Sequence, residues 1–459
     1  MRNQRSQKFE PTVQWLLSLY GFFIAFPTVN IPVIGVSITF PIFLVISYLV
    51  WDRRGRLFGI GGRLDVLLLW FFSACAFSIL LAPDVDINKN TLFLRDCMSF
   101  MYLAYWFSVY LFFRKWFWAI DLKLLSYSFL AGMCMSCMFI IIGSTESSSY
   151  SLGPFSISQN SYAVNSVAFI GIAMWQVYRR FRNWGLIAIG AIFLGITLMS
   201  QSRSGAIIIF LQFVIVMSSS LLAKNVEIRR LVLGASIAMA ILVGFFTSGS
   251  TAIGEKLGGV IAPYNPELAL LIARPEEALQ NDKSWLIRKV QVEKGLGLFY
   301  EHPLSGVGYR HFTSVMGDVN IHNYSRLKSR YEGYALSRSS HNSHIQVLSE
   351  TGLMGFVPFL LINVLVFWEV TLLLMRRRSS LLSVFLGTSL IGVTAYFWTI
   401  SAVTGAMWYV ALGLFVGSIG DKGRRSIHAG RNRKKEMKQS CSLEQHPGGI
   451  RTTGKSRIS

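Results

Sequence analysis

The chain has 459 residues, of which 52% are hydrophobic and 15% charged, and its mean hydropathy is +0.46. This composition excludes a soluble domain of the same length and indicates a protein that crosses a membrane many times. The formal net charge is +21, and basic residues are concentrated in the tail at 421–459. Because no nucleic-acid-binding motif accompanies this charge, we expect the tail to contact anionic lipid and expect no nucleic-acid partner.

Apolar runs of about membrane-spanning length recur along the chain, and a long hydrophilic segment at 249–351 interrupts them. The sequence therefore predicts an all-α polytopic membrane protein with about 12 transmembrane helices, nine before this segment and three after it. The predicted spans lie near 12–29, 31–50, 64–82, 97–113, 124–143, 161–178, 184–200, 205–222, 230–248, 352–375, 381–399 and 402–419.

Every second connection between these predicted helices is basic, whereas the intervening connections are short, nearly uncharged or of mixed charge. Short cytoplasmic loops are enriched in Lys and Arg, so both termini are expected in the cytoplasm. The same rule places Ser202–Gly205 and the 249–351 segment on the opposite side. The basic connections contain Arg53, Arg54, Arg56 and Arg63; Arg114, Lys115 and Lys123; Arg179, Arg180 and Arg182; Lys224, Arg229 and Arg230; and Arg376, Arg377 and Arg378.

Four regions follow from this pattern. We predict an N-terminal transmembrane bundle over 1–248, an extracytoplasmic loop over 249–351, three further transmembrane helices over 352–420 and a disordered cytoplasmic tail over 421–459. A structureless connection as long as the loop would be unusual, so the loop is expected to contain amphipathic helices of its own.

Arg203 is the first candidate for chemistry. It follows Ser202, the predicted N-cap of the helix beginning near Gly205. A cation in a first helical turn is disfavoured unless an anion is shared between the two, and free backbone amides beside a guanidinium form a good phosphate site. The alternative is that Arg203 only extends along the membrane interface.

Arg288 is the second candidate and lies in a stretch that reads as an amphipathic helix, with Trp285, Leu286, Lys289, Val290 and Glu293 at helical spacings. Taken alone, Arg288 is better explained as a solvated residue on the polar face of that helix, and only the resemblance described below favours a functional role.

His341 and His344 form the third candidate and are expected to share one face of an interfacial helix that leads into the tenth span. A metal site would need a further ligand, and on one straight helix Glu350 would lie about 13 Å along the axis from His341 and on the opposite side. A neutral imidazole acting as general base suits this position better. The alternative is a histidine that is only hydrogen-bonded at the interface. Gly352 and Gly355 are predicted to be helix-packing positions.

The order of these elements resembles the O-antigen ligase and O-antigen polymerase superfamily of bacterial glycan-assembly enzymes. The resemblance covers roughly 150–370, and its individual motifs are short. The matching pieces are Ser202–Gly205 at the start of a span, an arginine-bearing helix in a large external loop, His302–Gly308, His341-Asn342 leading to Glu350–Gly352 and a span, and Ser158–Asn160 before the sixth span.

This resemblance implies a glycosyltransferase that needs neither metal nor cofactor and acts on the periplasmic face of the bacterial inner membrane. The donor would be a glycan linked to undecaprenyl diphosphate. The acceptor would be lipid A-core for a ligase or another lipid-linked glycan for a polymerase of O-antigen or exopolysaccharide. Membrane lipids would surround the protein.

The implied catalytic residues are Arg203 and Arg288, which would hold the diphosphate, and His341, which would activate the acceptor hydroxyl. The substrate-binding candidates are Arg310, Arg338, His344, Asn342, Glu350 and Asn160. The chain departs from the family pattern at His344, where an apolar or aromatic residue is more usual.

A secondary transporter with twelve spans is the main alternative from another class. Carriers usually place polar residues near the middle of the bilayer in broken helices or repeated halves, whereas polar residues here gather at one face of the predicted spans. Within the enzyme class, the residues alone favour neither ligase nor polymerase strongly, and we lean towards a ligase.

Overall fold

The computed structural model describes residues 8–26, 37–54, 61–82, 89–142, 144–146, 149–152, 155–199, 203–221, 263, 283–315, 340–375, 380–398 and 407–419. Within these ranges the chain is mostly helical. The helices are α1 (Pro11–Ala25), α2 (Thr39–Arg54), α3 (Arg63–Leu80), α4 (Lys89–Trp116), α5 (Leu122–Ile142), α6 (Gln159–Met199), α7 (Arg203–Leu221), α8 (Lys283–Glu301), α9 (Ser343–Met375), α10 (Leu381–Tyr396) and α11 (Met407–Ile419), with a 3-10 turn at Phe117–Ala119.

The helix bounds follow the predicted apolar runs wherever both are described. The run at 64–82 is α3, and the run at 124–143 is α5. The predicted span at 230–248 and the basic tail lie outside the described residues. The number of twelve helices and the placement of the external loop therefore remain predictions.

Two described helices, α3 and α9, are long and apolar enough to cross a membrane, and five further helices are apolar but shorter. On α9 the exposed large apolar residues repeat at helical spacing and form one stripe along the helix. An apolar stripe of this length suits lipid better than water. The stripe comprises Leu353, Val357, Leu360, Leu361, Val364, Phe367 and Trp368.

A short three-stranded antiparallel sheet connects α5 to α6, where the sequence analysis expected only an uncharged connection in an all-α protein. Its strands are β1 (Ser144–Glu146), β2 (Ser149–Leu152) and β3 (Phe155–Ser158), in the order β1-β2-β3. The strands are rich in serine and aromatic residues and pair locally through tight connections, a pattern with period two that an apolar-run search misses.

The start of α3 and the end of α4 are locked together by a buried carboxylate. Asp65 accepts hydrogen bonds from the amides of Gly61 and Gly62, both at 2.8 Å, and from the hydroxyl of Tyr110 at 2.7 Å. It also forms an ion pair with Arg114. A buried charge is costly unless it is paired and hydrogen-bonded, and here each of these groups offsets part of that cost.

Helix α6 reverses direction at Arg182, whose φ is 53° and ψ is −140°. A Cβ added to Gly185 would lie 3.3 Å from the carbonyl oxygen of Val177, although residues eight apart in a continuous helix lie about 12 Å apart. The element is therefore two antiparallel helices, as the separate predicted spans at 161–178 and 184–200 indicated.

The first half of α6 runs antiparallel to α10. The rings of Tyr178 and Phe385 lie 5.9 Å apart, and farther along the pair the amide of Gly171 donates to Ser389 Oγ at 2.8 Å. Because α7 follows the second half of α6 through a short connection, α7 runs parallel to the first half and antiparallel to α10.

Helix α9 is broken at Gly352, where φ is 57° and ψ is −159°. This conformation is essentially restricted to glycine. In an unbroken helix the amides of Leu353 and Met354 would donate to the carbonyls of Ser349 and Glu350. The break leaves all four of these backbone groups without their helical partners.

A tight turn between α8 and α9 satisfies the four groups. The amides of Leu353 and Met354 donate to the carbonyls of Pro303 and Leu304, at 2.9 and 3.2 Å. In return, the amides of Val307 and Gly308 donate to the carbonyls of Ser349 and Glu350, both at 3.0 Å. We call this contact between the 303–308 turn and the break at Gly352 the joint.

The joint also explains Gly306, which has a φ of 68°. A Cβ at Gly306 would lie 2.5 Å from the carbonyl oxygen of Glu350, and one at Gly352 would lie 2.3 Å from that of Leu304. Gly352 is thus a position of backbone-to-backbone contact with a turn, and the expectation that it packs one helix on another was wrong. The turn itself was expected from Gly306 and Gly308.

Candidate functional site

The first segment of α9, residues 343–351, connects two corners of one end of the helical bundle. At its beginning, the amide of Ser343 donates to the carbonyl of Phe397, just after α10, at 2.7 Å. At its far end lies the joint, where the amide of Tyr309 donates to Ser78 Oγ near the end of α3, at 3.1 Å. The segment therefore lies across one end of the bundle, as expected of an interfacial helix that leads into a span.

His341 lies before α9 and not on it. Its backbone has a positive φ of 49°, and the residue is half-buried. The expectation that His341 and His344 share one helical face was therefore wrong, because the helix begins only at Ser343. A non-glycine residue in this region carries a backbone cost of about 1–3 kcal/mol, and such residues concentrate at functional sites.

Asn342 is the N-cap of α9. Its Oδ1 accepts the amides of His344 at 2.9 Å and Ile345 at 3.2 Å, which satisfies two of the amides that lack a partner in the first turn. Ser340 supports the cap, since its Oγ donates to the carbonyl of Asn342 at 2.6 Å and accepts that residue's amide at 3.2 Å. The side chain of Asn342 is therefore used to fix the entry of the chain into the helix beside His341.

His344 is buried in an aromatic cluster. Its ring stacks on Trp398 with centroids 4.2 Å apart and packs edge-on against Phe359 at 5.4 Å. It also hydrogen-bonds the backbone of Phe397. His341 is thus the more accessible of the two histidines, and His344 supports its surroundings.

Arg288 lies on α8, which has the predicted helical form. The buried positions include Ile287, Val290, Lys294 and Leu298, whereas Glu293 is exposed. Arg288 is half-buried beside this face.

The contacts of α8 place Arg288 near the level of His341. A Cβ added to Gly295 would lie 2.3 Å from Ile345, and farther along both helices the chain meets α9 again at the joint. The two helices therefore run parallel. Arg288 precedes Gly295 by seven residues, or about 10 Å, and so lies towards the end at which His341 precedes Ile345.

Arg203 is the first residue of α7, so the predicted helix start is confirmed, while its proposed cap Ser202 lies outside the described residues. Gln212 Nε2 of α7 donates to the carbonyl of Thr388 in α10 at 3.2 Å. Arg203 lies nine residues before Gln212, and Phe397 lies nine residues after Thr388. Because α7 and α10 are antiparallel, both steps lead about 13 Å in the same direction from this contact. The backbone of Arg203 therefore lies at the end of the bundle where Phe397 holds the start of α9.

Glu350 does not contact His341 and instead belongs to the joint. Its Oε1 accepts the amide of Phe312 at 3.4 Å and Gln346 Nε2 at 3.1 Å, and the carboxylate also accepts the amide of Arg310. Its Oε2 is buried and has no hydrogen-bond partner among the described residues. Glu350, which the resemblance implies as a substrate-binding residue, shapes the 310–312 backbone in this structure.

Arg310 also lies at the joint, with a φ of 66° and its guanidinium 5.0 Å from the ring centre of Tyr102. Arg338 lies outside the described residues. Asn160 is the second residue of α6. The backbones of the three implied catalytic residues thus lie towards the same end of the bundle as Phe397, while Arg310 and Glu350 lie at the joint.

Two polar contacts near the joint were not predicted. His311 Nε2 lies 2.7 Å from Asp96 Oδ1, which ties the joint to α4. Lys294 Nζ donates to the carbonyl of Phe312 at 2.7 Å, and burial lowers the pKa of Lys294 to about 8. The sequence contained a usable signal for the first of these residues, since Lys294 occupies a buried position of an amphipathic helix. It contained none for the contact between His311 and Asp96, which lie 215 residues apart in the chain.

The residues that helix geometry brings towards this end of the bundle are two arginines and a histidine on strained backbone. These residue types suit an anionic leaving group and a hydroxyl nucleophile. Among the described residues, no three His, Cys, Asp or Glu side chains form a group able to hold a metal ion. Catalysis without a metal stays a prediction.

Comparison with known proteins gives one informative match. Residues 188–360 match a family model described as O-antigen ligase. No curated protein sequence matches the chain significantly. Among solved structures, the chain is similar to one from work described as "Structural coordination of polymerization and crosslinking by a peptidoglycan synthase complex", with 15% identity and a TM-score of 0.38, covering 77% of this chain and 96% of that chain. A likeness at this level supports no conclusion.

The matched residues contain Arg203, Arg288 and His341, together with the whole joint. The family is a class of bacterial membrane proteins that transfer glycans, in agreement with the apolar helices described above. The resemblance to the O-antigen ligase and O-antigen polymerase superfamily is therefore confirmed by the match over residues 188–360.

Proposed function

We propose that this protein transfers a glycan from undecaprenyl diphosphate to an acceptor hydroxyl on the periplasmic face of the bacterial inner membrane, as an O-antigen ligase does. Both termini would lie in the cytoplasm. The observation that carries the proposal is the family match over 188–360, because this one domain contains all three residues proposed for the chemistry.

Arg203 and Arg288 would bind the diphosphate of the donor. As the bond between the anomeric carbon and the phosphate oxygen breaks, negative charge grows on the leaving lipid diphosphate. Guanidinium groups fixed close to that oxygen stabilise the charge, and backbone amides at the start of α7 would add to the effect. The position of Arg203 as the first residue of α7 supports this role.

His341 would accept the proton of the acceptor hydroxyl while the oxygen attacks the anomeric carbon. The new glycosidic bond forms as the bond to the diphosphate breaks, and the lipid diphosphate leaves with the bonding electron pair. The half-buried position of His341 and its positive φ support this assignment, since side chains on strained backbone are commonly held for function.

Transfer assays in lipid nanodiscs test the proposal. Purified protein is given an undecaprenyl-diphosphate-linked glycan together with lipid A-core. We expect His341→Ala to reduce turnover at least about 100-fold, the usual contribution of a general base, and Arg203→Ala and Arg288→Ala to reduce it strongly as well. Arg180→Ala, at an exposed residue beside the reversal in α6, is the matched control and should behave as wild type. Normal turnover of His341→Ala would remove its proposed role.

A polymerase of the same superfamily is the second candidate, since the family match includes both activities. The two differ in the acceptor, so the surface glycans of a deletion strain distinguish them. Unattached long polymer on the lipid carrier indicates a ligase, and a single repeat attached to the core indicates a polymerase. Solute flux into proteoliposomes that lack any lipid-linked glycan would favour a transporter instead.

A further inference from the structure

Trp398 is an exposed aromatic residue at the end of an enclosed helix. All residues from 381 to 397, which include α10, are buried or half-buried, whereas Trp398 is 65% exposed. This differs from Trp368, which is 58% exposed but lies on the apolar stripe of α9. A tryptophan in a lipid-facing interfacial belt is expected on such a stripe, and α10 has no stripe of this kind.

The ring of Trp398 is held in one orientation. One face stacks on His344, with 4.2 Å between centroids and 24° between planes. Behind His344 lie Phe359 and Phe397, which are both fully buried and pack on each other at 5.8 Å. The indole therefore rests on a packed cluster with its opposite face free, which lowers the entropy that a ligand would lose on binding to it.

The backbone of Trp398 lies near that of the proposed general base. Trp398 directly follows Phe397, whose carbonyl accepts the amide of Ser343 at 2.7 Å, and His341 lies two residues before Ser343. Asn342 fixes the chain between them as the N-cap of α9. These contacts bring Trp398 and His341 to the same end of the 343–351 segment.

We propose that the free face of Trp398 is a stacking platform for a sugar ring of the acceptor glycan. This inference rests on the proposed function and adds a binding site to it. One face of a pyranose presents C–H groups, and the face of an indole is electron-rich, so the two associate without directional hydrogen bonds. Such a platform orients the acceptor while leaving its hydroxyl free for His341. His344, where the family more often has an apolar or aromatic residue, serves as the lower layer of the stack.

The test compares Trp398→Leu, which removes the aromatic face, with Trp398→Phe, which keeps one. Trp368→Leu is the matched control for loss of an exposed tryptophan. Transfer is measured in nanodiscs, first varying lipid A-core at saturating donor and then varying the donor at saturating lipid A-core. Thermal unfolding of every variant reports on folding.

We expect Trp398→Leu to raise the KM for lipid A-core about tenfold, with the KM for the donor and the thermal midpoint unchanged. Trp398→Phe should stay within about threefold of wild type, and Trp368→Leu should match wild type. An unchanged acceptor KM in Trp398→Leu, an effect on the donor KM instead, or equal damage in Trp398→Phe would overturn the platform.

Binding separates this proposal from the proposed function. Core oligosaccharide is titrated while tryptophan fluorescence is followed, and the change should be present in wild type and lost in Trp398→Phe. If wild type binds the oligosaccharide but transfers no glycan, the proposed function fails and the platform stands. If wild type transfers glycan while Trp398→Leu has normal kinetics, the platform fails and the proposed function stands. If wild type neither binds nor transfers, both fail.

Discussion

The two ends of the first segment of α9, residues 343–351, are held by different means. At the joint, four backbone hydrogen bonds, the Glu350 carboxylate and the contact between His311 and Asp96 fix the chain. At the other end, a single side-chain cap from Asn342 and a stack of aromatic rings support a histidine on strained backbone.

This difference supports our proposal that the chemistry takes place at the His341 end. In a membrane, irregular backbone is tolerated only where its polar groups are satisfied by the protein or by water. The joint meets that requirement through its exchange of backbone hydrogen bonds. At the other end, His341 lies on strained backbone and the exposed Trp398 rests on the aromatic cluster, and we propose that the substrate binds there. Three changes at or beside the joint sharpen this comparison.

The largest expected effect is on Gly352. Gly352→Ala should destabilise the fold by more than about 3 kcal/mol, because the backbone conformation is nearly restricted to glycine and the added Cβ would meet the carbonyl of Leu304. The readout is the yield and thermal midpoint of the purified protein. Gly297→Ala is the control, since a Cβ there meets nothing within 4 Å and alanine should stabilise α8 by about 0.5–1 kcal/mol. Equal behaviour of the two variants would contradict the account of the joint.

A smaller effect is expected at Glu350. Glu350→Ala removes the acceptor of the Phe312 amide and of Gln346, which should cost about 2 kcal/mol because those donors stay buried. Glu350→Gln keeps one acceptor oxygen, so its loss of stability should be less than half that of Glu350→Ala. Turnover per folded molecule should stay within a few-fold of wild type in both variants. A stable Glu350→Gln protein with a 100-fold slower rate would place this residue in the chemistry.

The smallest effect concerns pH and Lys294. Burial lowers the pKa of Lys294 from 10.5 to about 8, so above pH 8 the unfolded state binds more protons than the folded state and stability rises with pH. Between pH 7.5 and 9 the gain in the free energy of unfolding should be about 1 kcal/mol. It is measured as a rise in the thermal midpoint of wild type relative to that of Lys294→Met over the same pH range. Parallel trends for the two proteins would contradict a lysine buried at this position.

Long apolar runs predicted the positions of most described helices well, because a helix that spans a membrane needs a long uninterrupted run of apolar residues. The predicted run at 64–82 and α3 differ by two residues at most, and the paired runs around Arg182 correctly indicated a reversal. Loop charges and motif order also led to the family that the match over 188–360 confirms.

The details of the site depended on contacts that no local pattern encodes. The exchange of backbone hydrogen bonds between the 303–308 turn and Gly352 joins two segments that neither apolar periodicity nor charge relates. For the same reason, no pattern in the sequence indicated that Glu350 accepts the amide of Phe312, which lies 38 residues away. A straight-helix reading also placed His341 and His344 on one face, although the helix starts between them at Ser343.

The central claim is that glycan transfer depends on the His341 end of the segment and not on the joint. The most direct test measures single-turnover glycan transfer from undecaprenyl diphosphate to lipid A-core for wild type, His341→Ala and Glu350→Gln, at equal amounts of folded protein. The account predicts a rate at least about 100-fold lower for His341→Ala and within a few-fold of wild type for Glu350→Gln. A normal rate for His341→Ala, or a collapse confined to Glu350→Gln, would contradict it.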